Sequence, residues 1–156
     1  MNAVYKFFAT AMGSGYSPFA PGTAGALVGI ALLWIIHLWM PELPYFSWGL
    51  IIATIIFYFI GVYCTDQLEA EWGKDPSKVV LDEVIGVWIS VLFVPITWHW
   101  MLIGFILFRV FDIWKPLGIR KLEAIKGGHG VMLDDVGAGI IAVSYTHLTL
   151  PTICSV

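Results

Sequence analysis

The spacing of the charged residues is the feature that most constrains how this chain can fold. Stretches of 35, 23 and 25 residues without Asp, Glu, Lys or Arg precede Glu42, Asp66 and Arg109, and no charge follows Asp135. A helix needs about 20 mostly apolar residues to cross the hydrocarbon of a bilayer, so each stretch is long enough for one crossing. The pattern predicts an all-α, multi-helical integral membrane bundle.

The composition excludes several other classes of protein. Apolar residues make up 59% of the 156 residues and charged residues 12%, against roughly 45–50% and about 25% in soluble globular chains. Such a chain has too few polar groups to cover a small soluble domain, and it is too apolar to be disordered. The net charge of −3, with no basic tract, excludes a nucleic-acid binder. Cys64 and Cys154 form neither a disulfide framework nor a zinc motif.

The apolar pattern places the first helices. We expect a short amphipathic segment at residues 2–12 and two spans, at 24–40 and 46–64. Thr23 is the expected N-cap of the first span, since a threonine hydroxyl can accept a hydrogen bond from a free amide of the first turn. A proline-containing turn at residues 41–44 is expected to join the two spans.

The third apolar run allows two interpretations. One is a single helix of 25 residues, which would place the charged clusters before and after it on opposite faces of the membrane. The other is a helical hairpin broken at Pro95, with helices at 79–94 and 98–115. Pro95 and the polar Thr97 and His99 favour the hairpin, because proline interrupts a helix and polar side chains suit a turn at the membrane surface.

The distribution of basic residues predicts the orientation. Segment 109–135 holds five of the eight Lys and Arg residues, and such segments lie on the cytoplasmic side. With the hairpin, the acidic segment 66–83 and the glycine-rich segment 13–22 lie on the same side. The chain is therefore expected to be a multi-pass protein whose charged segments face the cytoplasm.

A segment rich in glycine and proline precedes the first span. Gly13-Ser14-Gly15 is followed by Pro21, then by Gly22 and Thr23. Free amides at a helix N-terminus, flanked by glycines, form a site that an anion such as phosphate can approach closely. The same sequence also fits an ordinary turn and helix cap, and the residues alone leave both interpretations open.

Two pairs of adjacent acids stand at the entrances of apolar runs. Asp82 and Glu83 precede the third run, and Asp134 and Asp135 precede the last. Holding carboxylates at such positions is costly unless they are paired, bound to metal or functional. The alternative is that each pair interacts favourably with the N-terminus of a helix.

A third group of charges lies on one helical face. Arg109, Asp112 and Lys115 have the spacing i, i+3 and i+6. A structural pair between Arg109 and Asp112 explains two of them. The row could equally place a phosphate beside a metal-binding carboxylate. His129 lies in the glycine loop 127–130 and is expected at the surface.

Together these groups predict phosphate chemistry assisted by a metal ion. Five carboxylates are expected at one membrane face: Asp82, Glu83, Asp112, Asp134 and Asp135. Hard oxygen ligands suit Mg²⁺, which commonly binds one or two carboxylates together with a substrate phosphate. Basic side chains suit the remaining phosphate charge.

Four segments of this sequence resemble, in order, motifs of the bacterial phosphatidylglycerophosphatase A family. They are GSGYSPFAPGT at residues 13–23, LDEVIG at 81–86, FRVFDIWKP at 108–116, and GGHGVMLDD at 127–135 followed by Ala138 and Gly139. The resemblance implies a Mg²⁺-dependent phosphatase of the bacterial inner membrane. Such an enzyme removes the terminal phosphate of phosphatidylglycerophosphate to give phosphatidylglycerol.

This hypothesis assigns roles to the residues singled out above. The expected metal ligands are Asp82, Glu83, Asp112, Asp134 and Asp135. The expected catalytic acids are Asp82, Glu83, Asp134 and Asp135, and which of them is ligand and which is base stays open. The expected phosphate-binding groups are Gly22, Thr23, Arg109 and Lys115.

Other phosphatase chemistries lack their motifs in this sequence. There is no Cys-x5-Arg loop, no Asp-x-Asp nucleophile motif and no Lys-x6-Arg-Pro stretch. Two alternatives remain: a phosphatase for another lipid phosphate, and a membrane transporter or scaffold whose acids form an ion or proton site.

The end of the chain departs from the family pattern. Residues 144–156, SYTHLTLPTICSV, do not resemble an apolar last helix. We expect one membrane domain at 1–143 and a non-native tail at 144–156. The last helix would then be cut to 136–143, which is too short to span, and His147 and Cys154 would have no functional role.

Overall fold

A computed structural model describes residues 2–40, 46–73, 76–116, 118–122 and 124–153. It consists of six α-helices: α1 (Asn2–Ala9), α2 (Pro21–Trp39), α3 (Phe46–Trp72), α4 (Leu81–Ser90), α5 (Trp98–Trp114) and α6 (Gly128–Ile153). Single 3₁₀ turns lie at Ser14–Tyr16 and Ile119–Lys121, and the described residues form no strand. The all-α prediction is confirmed.

The short helix α4 is the centre of the fold. Nine of its ten residues are buried, and Glu83 is half-buried. It packs against α2, α3, α5 and α6. A helix of ten residues is about 15 Å long, half the thickness of the hydrocarbon layer, so α4 is a core helix and does not span.

The helices α2 and α3 are long and apolar enough to cross a membrane. Only 22% of the most apolar window of each helix is buried. Large apolar side chains instead point outward, among them Leu27 and Ile35 on α2 and Ile52 and Phe59 on α3. Exposed apolar faces of this extent indicate contact with lipid or with another protein.

The hairpin broken at Pro95 is confirmed, with a shorter first helix than predicted. Helix α4 ends at Ser90, the chain turns, and α5 begins at Trp98 and packs back against α4. The predicted range 79–94 extended too far. The backbone turns before the proline, and Phe93 has a left-handed φ of 58°.

Two predicted boundaries near the first spans are wrong. Helix α2 begins at Pro21, with Ala20 in the N-cap position, so Thr23 lies in the first turn and is not the cap. Proline fits the first helical position because its fixed φ is already helical and no amide is lost there. Helix α3 extends to Trp72 and not to 64, so the start of the acidic segment is helical. The expected turn at 41–44 lies outside the described residues.

The last helix also differs from its prediction. It runs from Gly128 to Ile153, far beyond 136–143, and Thr146 is buried. Its first amide, Gly128 N, donates a hydrogen bond of 2.6 Å to Asp66 Oδ1 of α3. The identification of 144–156 as a non-native tail stays a prediction.

Candidate active site

A cavity of about 220 Å³ lies where the N-terminal ends of α2, α4 and α6 meet the C-terminal end of α5. It is lined by polar and charged side chains, by two prolines and by two valines. The lining residues are Pro21, Gly22, Pro76, Ser77, Val79, Asp82, Glu83, Asp112, Lys115, Val131, Asp134 and Asp135. All five carboxylates singled out in the sequence are therefore in one place.

Three of these carboxylates, from three different helices, form a compact cluster. One oxygen each of Glu83, Asp112 and Asp135 lie within 4.8 Å of one another. The two aspartates are buried and the glutamate is half-buried. Oxygen ligands that converge at this range are a donor set suited to a divalent cation such as Mg²⁺.

Arg109 connects two members of the cluster. Its Nη1 donates hydrogen bonds to Glu83 Oε2 and, over 2.8 Å, to Asp112 Oδ2. The guanidinium is largely buried, with 17% of its side chain exposed. It therefore neutralises part of the negative charge and fixes two carboxylates that come from different helices.

Asp134 stands beside the cluster and has a different partner. Its Oδ2 accepts a hydrogen bond of 2.7 Å from Lys115 Nζ. Its Oδ1 is buried and accepts no hydrogen bond from the described residues. A buried carboxylate oxygen without a donor is uncommon, and this one belongs to a residue that lines the cavity, where a ligand or water can supply the donor.

The side chain of Asp82 is bound by a backbone amide. Its Oδ1 accepts a hydrogen bond of 2.9 Å from the backbone amide of Glu83, in the first turn of α4. It lies outside the compact cluster although its neighbour Glu83 is a member. Successive residues on a helix point about 100° apart, which separates the two side chains.

Burial changes the protonation of the acids on α4. It raises the pKa of Glu83 to about 7; the nearby Asp112 charge adds to the increase, and Arg109 opposes it. Burial, with the charge of Glu83, also raises the pKa of Asp82 well above its usual range. Acids with raised pKa values in a cavity are typical of functional sites.

The N-terminus of α2 closes one side of the cavity. A Cβ atom at Gly22 would overlap the Glu83 carboxylate, so a larger residue here would displace that side chain. Thr23, predicted to bind phosphate, is not among the described residues that line the cavity. A Cβ atom at Gly15 would overlap the Lys78 carbonyl, so the first half of the glycine-rich segment packs against the segment before α4.

Two glycines allow α4 and α6 to cross closely behind the acids. A Cβ atom at Gly139 would lie 2.5 Å from the Gly86 carbonyl oxygen. A Cβ atom at Gly86 would overlap the Phe108 ring and lie 2.9 Å from the Asp135 carbonyl oxygen. This crossing brings the acids of α6 next to those of α4.

Sequence reasoning missed some residues of the site. Pro76 and Ser77 line the cavity, although no motif in the sequence marks them as site residues. Asp66 was considered only as part of the acidic segment 66–83, yet its side chain caps α6. Asp66 and Gly128 are 62 residues apart in the chain, so no sequence pattern near either residue predicts this contact. His129 is exposed, as expected, and its Nδ1 lies 2.7 Å from the Tyr58 hydroxyl.

Comparison with known proteins identifies the family of this chain. Residues 7–150 match the family model of phosphatidylglycerophosphatase A. The phosphatidylglycerophosphatase A of Escherichia coli is 37% identical over 150 residues, which cover 94% of this chain and 84% of the relative. That of Haemophilus influenzae is 39% identical over 146 residues, 92% of this chain and 86% of the relative.

A further relative carries a different name. A protein of Bacteroides thetaiotaomicron, provisionally named a phosphatidylinositol-3-phosphatase, is 50% identical over 134 residues, 84% of each chain. No solved structure matches this chain. With a family model that covers most of the sequence, and two relatives of the same family that cover more than nine-tenths of it, this chain belongs to the phosphatidylglycerophosphatase A family.

Proposed function

We propose that this protein is a Mg²⁺-dependent lipid phosphatase of the bacterial cytoplasmic membrane. It hydrolyses the terminal phosphomonoester of phosphatidylglycerophosphate to phosphatidylglycerol and inorganic phosphate. The observation that carries the proposal is the convergence of Glu83, Asp112 and Asp135, with Lys115 in the same cavity. The family membership and the two candidate spans support the substrate class and the membrane location.

The acid cluster would hold the metal. Glu83, Asp112 and Asp135 provide three carboxylates from three helices, and their burial favours neutralisation by a cation. When bound there, Mg²⁺ supplies positive charge to the phosphoryl oxygens and lowers the pKa of water. Arg109 acts as a positioning residue, because its guanidinium is already bound to Glu83 and Asp112. In this proposal Arg109 positions the two acids and does not bind phosphate directly, although direct binding was expected from the sequence.

The other lining groups would bind the phosphate and move the proton. Lys115 and the α2 N-terminus at Gly22 present positive charge and a free amide to phosphoryl oxygens. Asp82 and Asp134 are the cavity carboxylates outside the cluster, and one of them accepts the proton of the attacking water. The water oxygen forms a bond to phosphorus, the bond to the glycerol oxygen breaks, and that oxygen takes a proton from solvent.

A second candidate substrate is favoured by one observation. The Bacteroides relative is named for phosphatidylinositol 3-phosphate and is more similar to this chain than the two phosphatidylglycerophosphatases described above. Both lipids present a phosphomonoester on a headgroup attached to a diacylglycerol phosphate. The same chemistry at the cavity would serve both, so the headgroup must be decided by experiment.

The test is phosphate release by the purified protein in detergent. Phosphatidylglycerophosphate, phosphatidylinositol 3-phosphate and phosphatidic acid with the same acyl chains are compared, with Mg²⁺ and with EDTA. We expect the fastest release from phosphatidylglycerophosphate, and loss of release in EDTA. Release from none of them would favour the transporter or scaffold alternative.

Variants assign the release to the cavity. Asp112→Asn and Asp135→Asn should each lower the rate about 100-fold or more, since each removes a charged ligand. Glu69→Gln is the matched control, because Glu69 is an exposed acid on α3 outside the cavity. Wild-type rates in both aspartate variants would show that the site is elsewhere.

A further inference from the structure

A tight turn forms one edge of the catalytic cavity and carries a lysine. The backbone amide of Val79 donates a hydrogen bond of 2.9 Å to the carbonyl oxygen of Pro76, which closes the turn 76–79. Pro76, Ser77 and Val79 line the cavity, and Lys78 is the fourth residue of the turn. Ser77 lines the cavity and is also exposed. The cavity therefore reaches the surface at this turn, next to Lys78.

Two aromatic rings hold the ammonium group of Lys78 in place. Its Nζ lies 5.9 Å from the centroid of the Tyr16 ring and 5.7 Å from that of the Trp72 ring. The two rings pack edge-to-face, with 6.4 Å between their centroids. A cation within about 6 Å of an aromatic ring is attracted to its face. The rings therefore restrict a side chain whose four-carbon stem is otherwise flexible.

The contact between Lys78 and Tyr16 joins two segments of the chain that both line the cavity. Tyr16 ends the 3₁₀ turn that precedes α2, and the first two residues of α2, Pro21 and Gly22, are lining residues. The turn 76–79 supplies three more. Because Lys78 contacts the first segment and belongs to the second, its ammonium group lies at the rim of the cavity and not on a distant surface.

The charge of Lys78 is available to a ligand. A second lysine, Lys6, also approaches Trp72, at 5.7 Å from the ring centroid, and is bound to Glu71. Lys78 is exposed and forms no salt bridge with any residue that the structure describes. Two lysines and one glutamate leave one surplus positive charge in this group. An ammonium group that is exposed, held in place and unpaired is suited to bind an anion.

We propose that Lys78 binds the phosphodiester of the lipid substrate while the phosphomonoester occupies the cavity. This inference rests on the proposed function. The cavity measures about 220 Å³ and is lined by charged groups, so the diacylglycerol stays outside it. The phosphodiester is joined directly to the diacylglycerol and therefore stays at the rim, where Lys78 lies.

A lysine at this place selects for lipids with two phosphates. Both candidate substrates, phosphatidylglycerophosphate and phosphatidylinositol 3-phosphate, carry a phosphodiester that a glycerol or an inositol separates from the phosphomonoester. Phosphatidic acid carries the phosphomonoester alone and gains nothing from Lys78. The lysine is thus a specificity residue that acts on the feature shared by both candidates.

The two products of the reaction test the two parts of the site separately. Inorganic phosphate matches the group in the cavity, and phosphatidylglycerol keeps the phosphodiester but lacks the phosphomonoester. Inhibition by phosphate and by dihexanoyl phosphatidylglycerol is measured in a non-ionic detergent, where no bilayer phosphodiester competes. The variants are Lys78→Gln, Lys78→Arg and Lys121→Gln. Lys121 is the matched control, because it is an exposed lysine that does not line the cavity.

The proposal predicts a loss of affinity for one product only. In Lys78→Gln the inhibition constant of phosphatidylglycerol should rise about tenfold, because a hydrogen bond to a charged group is lost. That of phosphate should stay within about twofold. Lys78→Arg should keep most of the affinity, and Lys121→Gln should change neither constant. An unchanged constant for phosphatidylglycerol in Lys78→Gln, or an equal rise of both constants, would overturn the proposal.

A binding measurement separates this inference from the proposed function. If the wild-type protein hydrolyses none of the lipids, the proposed function fails, and binding of dihexanoyl phosphatidylglycerol is then measured by calorimetry in the same detergent. Weaker binding in Lys78→Gln than in the wild type and in Lys121→Gln would support the phosphodiester site by itself. Equal binding in all three proteins, or no binding in the wild type, would overturn it.

Discussion

At the scale of single residues, Glu83 connects the separate parts of the site. Its carboxylate lies against Gly22 of α2, is bound by Arg109 of α5, and belongs to the cluster with Asp112 and Asp135. A change in its charge should therefore affect both the proposed metal ligands and the side of the cavity where we propose that phosphate binds.

The raised pKa of Glu83 predicts how cation binding depends on pH. Because protons and a cation compete for this carboxylate, Mg²⁺ should bind about tenfold more weakly at pH 6 than at pH 8. Without a cation, the folded chain holds the proton more tightly than the unfolded chain. The free energy of unfolding should then fall as pH rises from 4.5 towards about 7.

The measurement is the increase in thermal unfolding temperature on adding Mg²⁺. It should be larger at pH 8 than at pH 6 in the wild-type protein, and the difference should shrink in Glu83→Gln. An equal increase at both pH values in the wild type would show that Glu83 does not titrate in this range or does not bind the cation.

Arg109 provides a test of positioning. Arg109→Lys keeps the positive charge but shortens the side chain and removes the planar guanidinium, whose Nη1 donates to both Glu83 and Asp112. We expect kcat to fall about 10- to 100-fold with little change in KM. A change confined to KM would instead indicate that Arg109 binds the substrate directly.

The acids could be predicted as site residues from the sequence, but their grouping could not. Two adjacent acids at the entrance of an apolar run stand out in the sequence, because placing carboxylates there costs free energy unless they are paired, bound to metal or functional. Which member of each pair joins the cluster depends on how α4 and α6 are rotated against α5. That rotation selects Glu83 over Asp82 and Asp135 over Asp134, and it is set by contacts distant in sequence.

At the scale of elements, the crossing of α4 and α6 determines whether the site forms. Gly139→Ala should push α6 away from the Gly86 carbonyl and lower the stability by about 1–3 kcal/mol, with loss of phosphate release. Gly137→Ala is the control, since a Cβ atom there would meet side-chain atoms of Leu122 at 3.2 Å, which can move. Thermal unfolding in detergent measures the difference, and equal effects of both substitutions would contradict this role.

The helical pattern was more predictable than its boundaries. Pro95 and its polar neighbours identified the hairpin, because a proline interrupts a helix locally. The end of α3 was placed eight residues too early, at 64 and not at Trp72. Glu69 and Glu71 are exposed on a helix that continues beyond its apolar part, so the onset of charge did not mark the end of the helix.

In the molecule as a whole, the proposed site forms only if both charged segments lie on one face of the membrane. Single cysteines at Lys78 and Lys121, both exposed, should react with a membrane-impermeant reagent from the same side. The chain's own cysteines are replaced by alanine beforehand, and cytoplasmic labelling is expected from the basic segment. Reaction from opposite sides would contradict the proposed topology.

The proposed cation site is formed by carboxylates from three helices. Binding of Mn²⁺, as a paramagnetic substitute for Mg²⁺, to the purified protein tests for this site by electron paramagnetic resonance. We expect saturable binding whose affinity falls about tenfold or more in Asp112→Asn and in Asp135→Asn, and is unchanged in Glu69→Gln. Binding of wild-type affinity in both aspartate variants, or no saturable binding in the wild type, would contradict it.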